Sequence, residues 1–434
     1  MSNLPTEASN NEPEHLDDAI AKSGRAEIGN DGAGQEAPII RADFLFGAIV
    51  LALLFFLTPY LFGSSGPDVP GRSDVVGAKL VGDGFKLVTG HEVLVGLHDA
   101  SATLGDTLTA PWWGQINPEQ KLWRPLPLFV LGVGSSLAGP YYEGNPGSAG
   151  LPFHILVLAF HVLATMLLFS LTFEFTKNNT IALIAAALFA TLPVHGEAIF
   201  DIAGIAELMA AAFSFGAWLC WLKAGSDPLK NIPMLASSLV LVALAALSKE
   251  SAFMLPVLFF LVDAGRNPQK SGLDFGFALK KLPALGALVI VLAVIIGIRM
   301  SIVGSLAPDF GIAQHVDNPL IAASGMDRIG NGMRLLIASI PVMLGINPFR
   351  GDSGGGLGEL FGFSADYSMG QIEVLGAFSM WNLISIIVLL GTVAAAFAMA
   401  KKCGLRAGLW LALLASLLLS SNILFPIGTI FAER

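Results

Sequence analysis

The sequence predicts an all-α polytopic membrane protein, and three observations support that prediction. Hydrophobic residues make up 54% of the 434-residue chain and charged residues only 13%, which is too apolar for a protein whose whole surface meets water. Several apolar runs reach the roughly 20 residues that a helix needs to cross a bilayer. These runs do not alternate in polarity as the strands of a membrane barrel do.

The polar N-terminal segment, residues 1–42, is predicted to be a disordered cytoplasmic tail. It holds eight acidic and three basic residues, so most of the net charge of -9 lies here. Such a composition cannot bury enough apolar surface to fold on its own. Because the segment lacks the basic start and cleavage site of a signal peptide, the run 44–62 is predicted to be a retained first span. Residues 43–434 are then one membrane domain.

The apolar runs predict about nine membrane spans. They cover residues 44–62, 152–175, 180–194, 206–222, 232–248, 251–263, 282–303, 381–400 and 407–425. Two weaker runs, 126–138 and 333–348, are shorter and broken by Pro and Gly. Counting 333–348 as a span would place Lys401, Lys402 and Arg406 on the outer face, against the positive-inside rule. We therefore expect it to be re-entrant or interfacial.

With the N-terminus in the cytoplasm, two long outer loops follow, 63–151 and 304–380. Rings of the kind that sit at headgroup level are frequent in the first loop, namely Trp112, Trp113, Trp123, Tyr141 and Tyr142. We expect this loop to form interfacial helices on the membrane surface. Two shorter outer segments, 195–205 and 248–251, hold further charged residues, so the candidate site is predicted to face outside.

Several classes of function are excluded by what the sequence lacks. The two cysteines, Cys220 and Cys403, are too few and too poorly placed for a metal site or a disulfide framework. The chain has no glycine-rich phosphate loop before a soluble helix and no basic, aromatic surface for nucleic acid. Membrane lipid is the partner that composition itself predicts.

The sharpest polar signal is a group of ionisable residues at the junction of two predicted spans, His195, Glu197, Asp201 and Glu207. Ionisable groups at membrane depth are candidates for function. On a helix Glu197 and Asp201 would share one face, so two carboxylates could line one cleft. Simple hydration at the interface explains these groups about as well.

Three further signals come from other segments. Arg124 directly precedes an amphipathic run and suits phosphate recognition, although an arginine that snorkels to headgroup phosphates has the same pattern. Lys249 and Glu250 interrupt two apolar runs, either as a structural ion pair or as part of a site. Asp366 and Tyr367 end a glycine-rich outer segment that suits a lid or an acceptor contact.

Several strings taken together resemble the transmembrane O-mannosyltransferases that modify cadherins and their bacterial relatives with tetratricopeptide tails. The similarity runs from about residue 80 to the last residue. The strings, in the family's order, are WRPL at 123–126, FH at 153–154, PVHGEA at 193–198, AGIAEL at 203–208, LSKE at 247–250, FSADYS at 363–368, SNILFPIGT at 421–429 and AER at 432–434. Each string is weak alone, and their order makes the set specific.

The resemblance implies a C-type membrane glycosyltransferase fold, a polyprenyl-phosphate sugar donor, and a protein or glycan hydroxyl as acceptor. It implies catalytic roles for Glu92 or Asp99 as base and for His195 and Glu197 as orienting groups. The substrate-binding residues that it implies are Arg124, Glu207, Lys249, Glu250, Asp366, Tyr367 and Arg434. The donor is the only cofactor-like molecule implied, and whether a divalent metal assists is left open, with no residue set behind one. In a bacterium the protein would lie in the inner or plasma membrane.

Three departures from the family pattern affect these expectations. The acidic pair that the family carries early in the first outer loop is replaced here by Thr89-Gly90 or His91-Glu92, which leaves the base and the activity open. Ile205 stands where family members usually have Arg. The family also continues past Arg434, so we expect a truncated domain. The alternative function is therefore a catalytically degenerate relative, or a lipid-handling or transport protein.

Overall fold

The computed structural model describes residues 82–138, 150–305, 317–343, 346, 372–427 and 430. The regular elements in these ranges are all helices, which confirms the all-α prediction. Several predictions fall outside the described residues: the tail 1–42, the span 44–62, and the side chains of Tyr141, Tyr142, Asp366, Tyr367 and Arg434.

Fourteen α-helices are described. They are α1 (Gly82–Gly90), α2 (Glu92–Asp99), α3 (Pro125–Ala138), α4 (Leu151–Thr176), α5 (Asn179–Thr191), α6 (Gly196–Phe200), α7 (Ile205–Ala224), α8 (Ile232–Ser248), α9 (Leu255–Ala264), α10 (Phe275–Leu279), α11 (Leu282–Val303), α12 (Gly325–Met343), α13 (Met380–Ala400) and α14 (Gly404–Leu418). Short 3-10 turns cover Leu104–Leu108, Pro193–His195, Ile202–Gly204, Pro228–Lys230, Glu250–Met254 and Pro319–Ile321.

Four of the described helices are long and apolar enough to cross a bilayer, namely α4, α7 with its preceding turn, α11 and α13. The chain is thus an integral multi-pass membrane protein, as predicted. The apolar helices α3, α5, α8 and α14 are shorter, at 10–17 residues. The predicted span 251–263 is divided into the turn Glu250–Met254 and the ten-residue helix α9. The count of nine spans stays a prediction.

Helix α7 lies at the centre of the bundle and packs against α4 and α8. In its most apolar stretch of 18 residues, 61% of the residues are buried inside the protein. The corresponding shares for α11 and α13 are only 22% and 17%. The outward residues of those two helices include Ile290 and Ile387, which are 65% and 69% exposed. Such broad apolar surface would be unfavourable in water and is what lipid covers in a membrane protein.

The segment before α4 packs onto the bundle instead of standing apart from it. Leu87 of α1, Leu94 of α2 and Leu128 of α3 share a buried core with Phe153 of α4. Trp112 belongs to the same core and is 1% exposed. We expected rings such as Trp112 to lie at headgroup level, but the structure buries this one inside the protein, because the two short helices and α3 close over it.

Helix α12 covers most of the segment predicted to be re-entrant or interfacial. It carries Asp327, Arg328 and Arg334, and it is not among the four helices apolar enough to cross a bilayer. Asp327 accepts the backbone N–H of Ala377 and Arg334 donates to the carbonyl of Glu373, so the helix is tied to the segment before α13. These charges agree with the prediction that this segment is not a full membrane span.

Candidate functional site

Two arginines from distant parts of the chain meet one carboxylate, that of Glu250. Arg124, directly before α3, donates its Nε and Nη2 to Glu250 Oε2 at 3.1 and 2.9 Å. Arg299, near the C-terminal end of α11, donates Nη1 to Glu250 Oε1 at 3.0 Å. Arg299 also donates Nη2 to the carbonyl of Lys121 at 3.2 Å. We call Arg124, Glu250 and Arg299 the two-arginine cluster.

Local backbone structure explains why Glu250 is available for this cluster. Helix α8 ends at Ser248 because Lys249 takes an extended conformation, with φ -157° and ψ 149°. The 3-10 turn that follows starts at Glu250, so two adjacent charged side chains leave the helix axis in different directions. On the other side, the guanidinium of Arg124 lies over the ring of Trp112, 5.7 Å from its centroid. Cation–π contact of this kind orients a guanidinium without neutralising it.

The two guanidinium groups determine the protonation state of Glu250. Loss of solvation alone would raise the pKa of this carboxyl, but the attraction of Arg124 and Arg299 outweighs that effect and lowers the pKa to about 2. Glu250 is therefore ionised at neutral pH. One carboxylate against two guanidiniums leaves the cluster with an excess of one positive charge.

Lys249 binds a different acid from its neighbour. Its Nζ contacts Oε1 of Glu207, which lies in the first turn of α7. The sequence left open whether Lys249 and Glu250 are an ion pair with each other, and the structure instead pairs each of them with a residue from another segment. Glu207, Lys249 and the two-arginine cluster thus line one end of α7, α8 and α11.

The predicted pair Glu197 and Asp201 lies in the turn before α7. The backbone N–H of Asp201 bonds to the carbonyl of Glu197 at 3.1 Å, which is the four-residue spacing expected of a helical turn. Asp201 Oδ1 accepts the N–H of Ala203 at 3.0 Å, and its Oδ2 accepts the N–H of Asp83 at 3.2 Å. Gly204 is required here, because a Cβ at that position would lie 2.3 Å from the carbonyl oxygen of Ala198.

His195 lies among aromatic rings at the same junction. Its ring centroid is 4.5 Å from that of Phe189 and 6.1 Å from that of His161. Burial, with a smaller contribution from His161, lowers the pKa of His195 to about 4. The ring is therefore neutral at pH 7, so it adds no positive charge for a phosphate. A neutral imidazole can still orient a neighbouring group by a hydrogen bond.

The two carboxylates predicted as bases, Glu92 and Asp99, lie at opposite ends of α2, roughly 10 Å apart along its axis. Glu92 Oε2 accepts the N–H of Gln115 at 2.9 Å. Asp99 Oδ1 accepts the N–H of Ser101 at 2.9 Å, and the hydrogen bonds from Ser101 lower the pKa of Asp99. In the part of the chain that the structure describes, these hydrogen bonds tie Glu92 and Asp99 to Gln115 and Ser101 and not to the two-arginine cluster.

Sequence reasoning missed two residues of this region. Arg299 is the one charge inside the apolar run 282–303, and a charge in such a run is itself a signal of function that could have been used. Asp83, in the first turn of α1, lies beside Asp201 through its backbone and accepts from Lys86 Nζ at 3.3 Å. Asp83 gave no signal of its own, since it looks like any acid at the start of a short helix.

A second charged cluster lies at the other end of α11, about 27 Å from Arg299 along the helix axis. Asp263 Oδ1 accepts from Lys281 Nζ at 2.9 Å and from Arg266 Nη1 at 3.4 Å. Asp263 Oδ2 accepts from the indole N–H of Trp221 at 2.7 Å. The side chains of Lys281 and Asp263 are 1% and 2% exposed. We call these four residues the Asp263 cluster.

The described residues hold no group of three His, Cys, Asp or Glu side chains placed to bind a metal ion. The side chains of the candidate site that could take part in chemistry are carboxylates, the guanidiniums of Arg124 and Arg299, the amine of Lys249 and the neutral imidazole of His195. Such groups can stabilise a negatively charged leaving group and can accept a proton from a hydroxyl.

The chain is similar in sequence to three curated proteins. It is 25% identical over 351 residues to protein O-mannosyl-transferase TMTC3 of Homo sapiens and 25% identical over 352 residues to the Mus musculus protein of that name. It is 26% identical over 337 residues to protein O-mannosyl-transferase F38B6.6 of Caenorhabditis elegans. Each similarity covers 74% of this chain, but only 35%, 35% and 42% of the relative.

The chain therefore spans between about a third and two fifths of the length of the curated relatives it matches. No family model matches the chain. No solved structure matches it. The three similarities support the resemblance seen in the sequence strings, because all three proteins are named protein O-mannosyl-transferases.

Proposed function

We propose that the chain is a membrane glycosyltransferase. It moves a mannose-like sugar from a polyprenyl-phosphate donor to a hydroxyl group of a protein or glycan acceptor on the outer membrane face. The observation that supports this most is the convergence of Arg124, Glu250 and Arg299 from three segments far apart in sequence. The names of the similar proteins support the class of reaction.

The excess positive charge suits the leaving group of such a transfer. When the bond between the anomeric carbon and the phosphate oxygen breaks, negative charge grows on the lipid phosphate. Guanidinium donors that already point at that position stabilise the charge without reorganisation. Arg124 and Arg299 supply planar donor groups of the kind that bind phosphate in pairs, and Lys249 adds a point charge.

The acceptor hydroxyl needs a base. In the proposed step its O–H bond breaks, the proton goes to a carboxylate, and the oxygen forms a bond to the anomeric carbon while the lipid phosphate leaves with the electron pair. A single displacement of this kind inverts the anomeric carbon. Glu92 and Asp99 are the bases that the resemblance implies, and the geometry adds Asp83.

Of these three carboxylates we favour Asp83. Glu92 is held by the backbone N–H of Gln115, and hydrogen bonds from Ser101 make Asp99 a weaker base by lowering its pKa. Asp83 stands beside Asp201, in the region of the predicted site that also holds Glu197 and His195. In this proposal Glu197 and His195 orient the base or the acceptor, and Glu207 positions Lys249.

The proposal also includes three residues that would contact the acceptor or the donor phosphate, namely Asp366, Tyr367 and Arg434. They lie outside the described residues, so their roles rest on the resemblance alone. Asp366 and Tyr367 would form the far wall of the cleft, and Arg434 would be a further phosphate ligand.

The test is a donor-turnover assay on the purified chain in proteoliposomes that contain polyprenyl-phosphate mannose. Release of polyprenyl phosphate is followed by mass spectrometry, with and without an acceptor protein fraction. We expect Arg124→Ala and Glu197→Gln each to lower turnover by about a hundredfold. Lys230→Ala, which removes an exposed surface charge, is the control and should leave turnover unchanged.

Two outcomes would count against the proposal. Unchanged transfer in both Arg124→Ala and Glu197→Gln would remove these residues from the mechanism. Donor binding without any turnover in the unaltered chain would instead support the alternative, a degenerate relative that handles lipid without chemistry.

A further inference from the structure

We infer that Glu250 is an internal stand-in for the donor's phosphate: in the free chain its carboxylate occupies the anion site between Arg124 and Arg299, and the incoming phosphate displaces it. This inference rests on the proposed function for the identity of the donor. Beyond that function, it makes Glu250 a competitor of the donor, in addition to holding the two arginines in place.

The first support is the number of unused donors around the carboxylate. Each guanidinium has five N–H donors. Arg124 uses two nitrogens on Glu250, and Arg299 uses one on Glu250 and one on the carbonyl of Lys121. Arg299 is 7% exposed, and its Nε is buried without a hydrogen-bond partner among the described residues. Glu250 therefore satisfies only part of the donor set.

The second support is chemical equivalence. A carboxylate and the phosphodiester of a polyprenyl-phosphate sugar each carry one negative charge and present oxygens that a guanidinium fork can bind. The phosphomonoester of polyprenyl phosphate presents the same kind of oxygens and can carry a second charge. Tetrahedral phosphate reaches donors on more than one side, whereas the planar carboxylate of Glu250 is limited to its own plane. An incoming phosphate can thus keep the contacts that Glu250 makes and add others.

The third support is the order of exposure within the cluster. The side chain of Glu250 is 27% exposed, that of Arg124 is 15% exposed and that of Arg299 only 8%. The carboxylate is the member that can turn to solvent, while Trp112 and the Lys121 carbonyl keep the two guanidiniums in place. An anion must replace it, because buried guanidiniums without a counterion are strongly unfavourable.

The experiment measures the Kd of polyprenyl phosphate, without sugar, for the full chain in nanodiscs. We expect Glu250→Gln to bind roughly tenfold more tightly, because the competing charge is gone. Arg299→Lys should bind roughly tenfold more weakly, because an ammonium cannot replace the fork. Asp263→Asn is the matched control, since it makes the same carboxylate-to-amide change beside two cations at the other end of α11 and should leave Kd unchanged.

Glu250→Asp keeps the competition measurable if the Gln variant fails to fold. Its shorter side chain keeps the charge but reaches the two guanidiniums less well, so its Kd should fall between those of the unaltered chain and Glu250→Gln. A Kd that is unchanged or raised in the folded Glu250 variants overturns the inference. So does equal competition by phosphatidylglycerol, since the site would then be one for any lipid phosphate.

The result separates this inference from the proposed function. Tighter binding by Glu250→Gln in a chain that never turns over the donor would reject the transferase and keep the internal counterion. Normal turnover with Kd values that do not respond to Glu250 or Arg299 would keep the transferase and reject the counterion.

Discussion

Helix α11 joins two charged clusters that have the same chemistry and different surroundings. At its C-terminal end Glu250 is held by Arg124 and Arg299, and at its N-terminal end Asp263 is held by Lys281 and Arg266. Each cluster has one carboxylate and two cations. The side chain of Glu250 is 27% exposed, whereas that of Asp263 is 2% exposed and its carboxylate also accepts the indole N–H of Trp221.

The difference shows how similar ion pairs serve different purposes in one bundle. Four residues from three segments form the Asp263 cluster, and the side chains of its central pair, Lys281 and Asp263, are only 1% and 2% exposed, so the carboxylate is closed to solutes. The two-arginine cluster keeps donors that Glu250 does not use and remains open to solvent. A buried ion pair that is fully satisfied ties elements together, while one with unused donors and a partly exposed carboxylate side chain can bind a ligand.

Asp83→Asn should have the largest effect on activity. If Asp83 is the base, turnover falls by about a hundredfold to ten-thousandfold, because an amide cannot take the acceptor proton. Its exposed contact with Lys86 contributes less than about 1 kcal/mol, so the stability of the fold should hardly change. Donor turnover and thermal unfolding are measured on the same preparation. Normal turnover would return the role of base to Glu92 or Asp99.

Asp263→Asn should lower the stability of the fold and leave donor binding unchanged. Breaking a buried ion pair by removing one partner costs about 3–5 kcal/mol, because Lys281 is left as an uncompensated buried charge. Denaturant unfolding in detergent should show this loss, while the KM for the donor stays unchanged. The double variant Asp263→Asn, Lys281→Met should recover part of the stability. A double variant no more stable than the single one would mean that the two residues are not coupled.

Trp221→Phe is a smaller change to the Asp263 cluster. It removes the indole N–H that donates to Asp263 at 2.7 Å and keeps an aromatic ring in the core. A hydrogen bond to a charged group contributes about 1.5–3 kcal/mol, so we expect a stability loss in that range and no change in donor KM. Trp218→Phe on the same helix is the control, because its indole nitrogen has no hydrogen-bond partner among the described residues. Equal losses in the two variants would assign the effect to ring volume.

The sequence predicted the helices better than the contacts between them. Long apolar runs identify helices such as α4, α8 and α11 because length and composition are local properties. Arg124 and Glu250 were both selected as candidates, but their contact joins residues 126 positions apart, and local patterns carry no information about such pairs. The burial of Trp112 could not be predicted either, because an interfacial ring and a buried ring have the same sequence pattern.

The two missed residues differ in how far the sequence could have revealed them. Arg299 was visible as a charge in the run 282–303, whose cost in a membrane demands a partner. Asp83 was not visible, because its importance depends on the turn at Asp201 that receives its backbone N–H.

Acidification should lower the stability of the fold in two steps, and His195 governs the first. The pKa of His195 is about 4 in the folded chain against 6.5 for the free side chain, so the unfolded state binds the proton more readily. The contribution of neutral His195 to stability is therefore fully present above pH 6.5 and is lost as the pH drops toward 4. The pKa of Glu250 is lowered from 4.5 to about 2, so its contribution is lost only below pH 4.5.

His195→Gln should reduce the slope of the stability curve between pH 6.5 and 4 and leave the step below pH 4.5 in place. The measurement is the unfolding midpoint in detergent at half-unit steps of pH. Glu250→Gln is the complementary control, since it should remove the lower step and keep the upper one. If the stability curve of His195→Gln keeps its full slope between pH 6.5 and 4, another group titrates in that range. His195 would then not be the residue that makes the stability of the fold sensitive to mild acid.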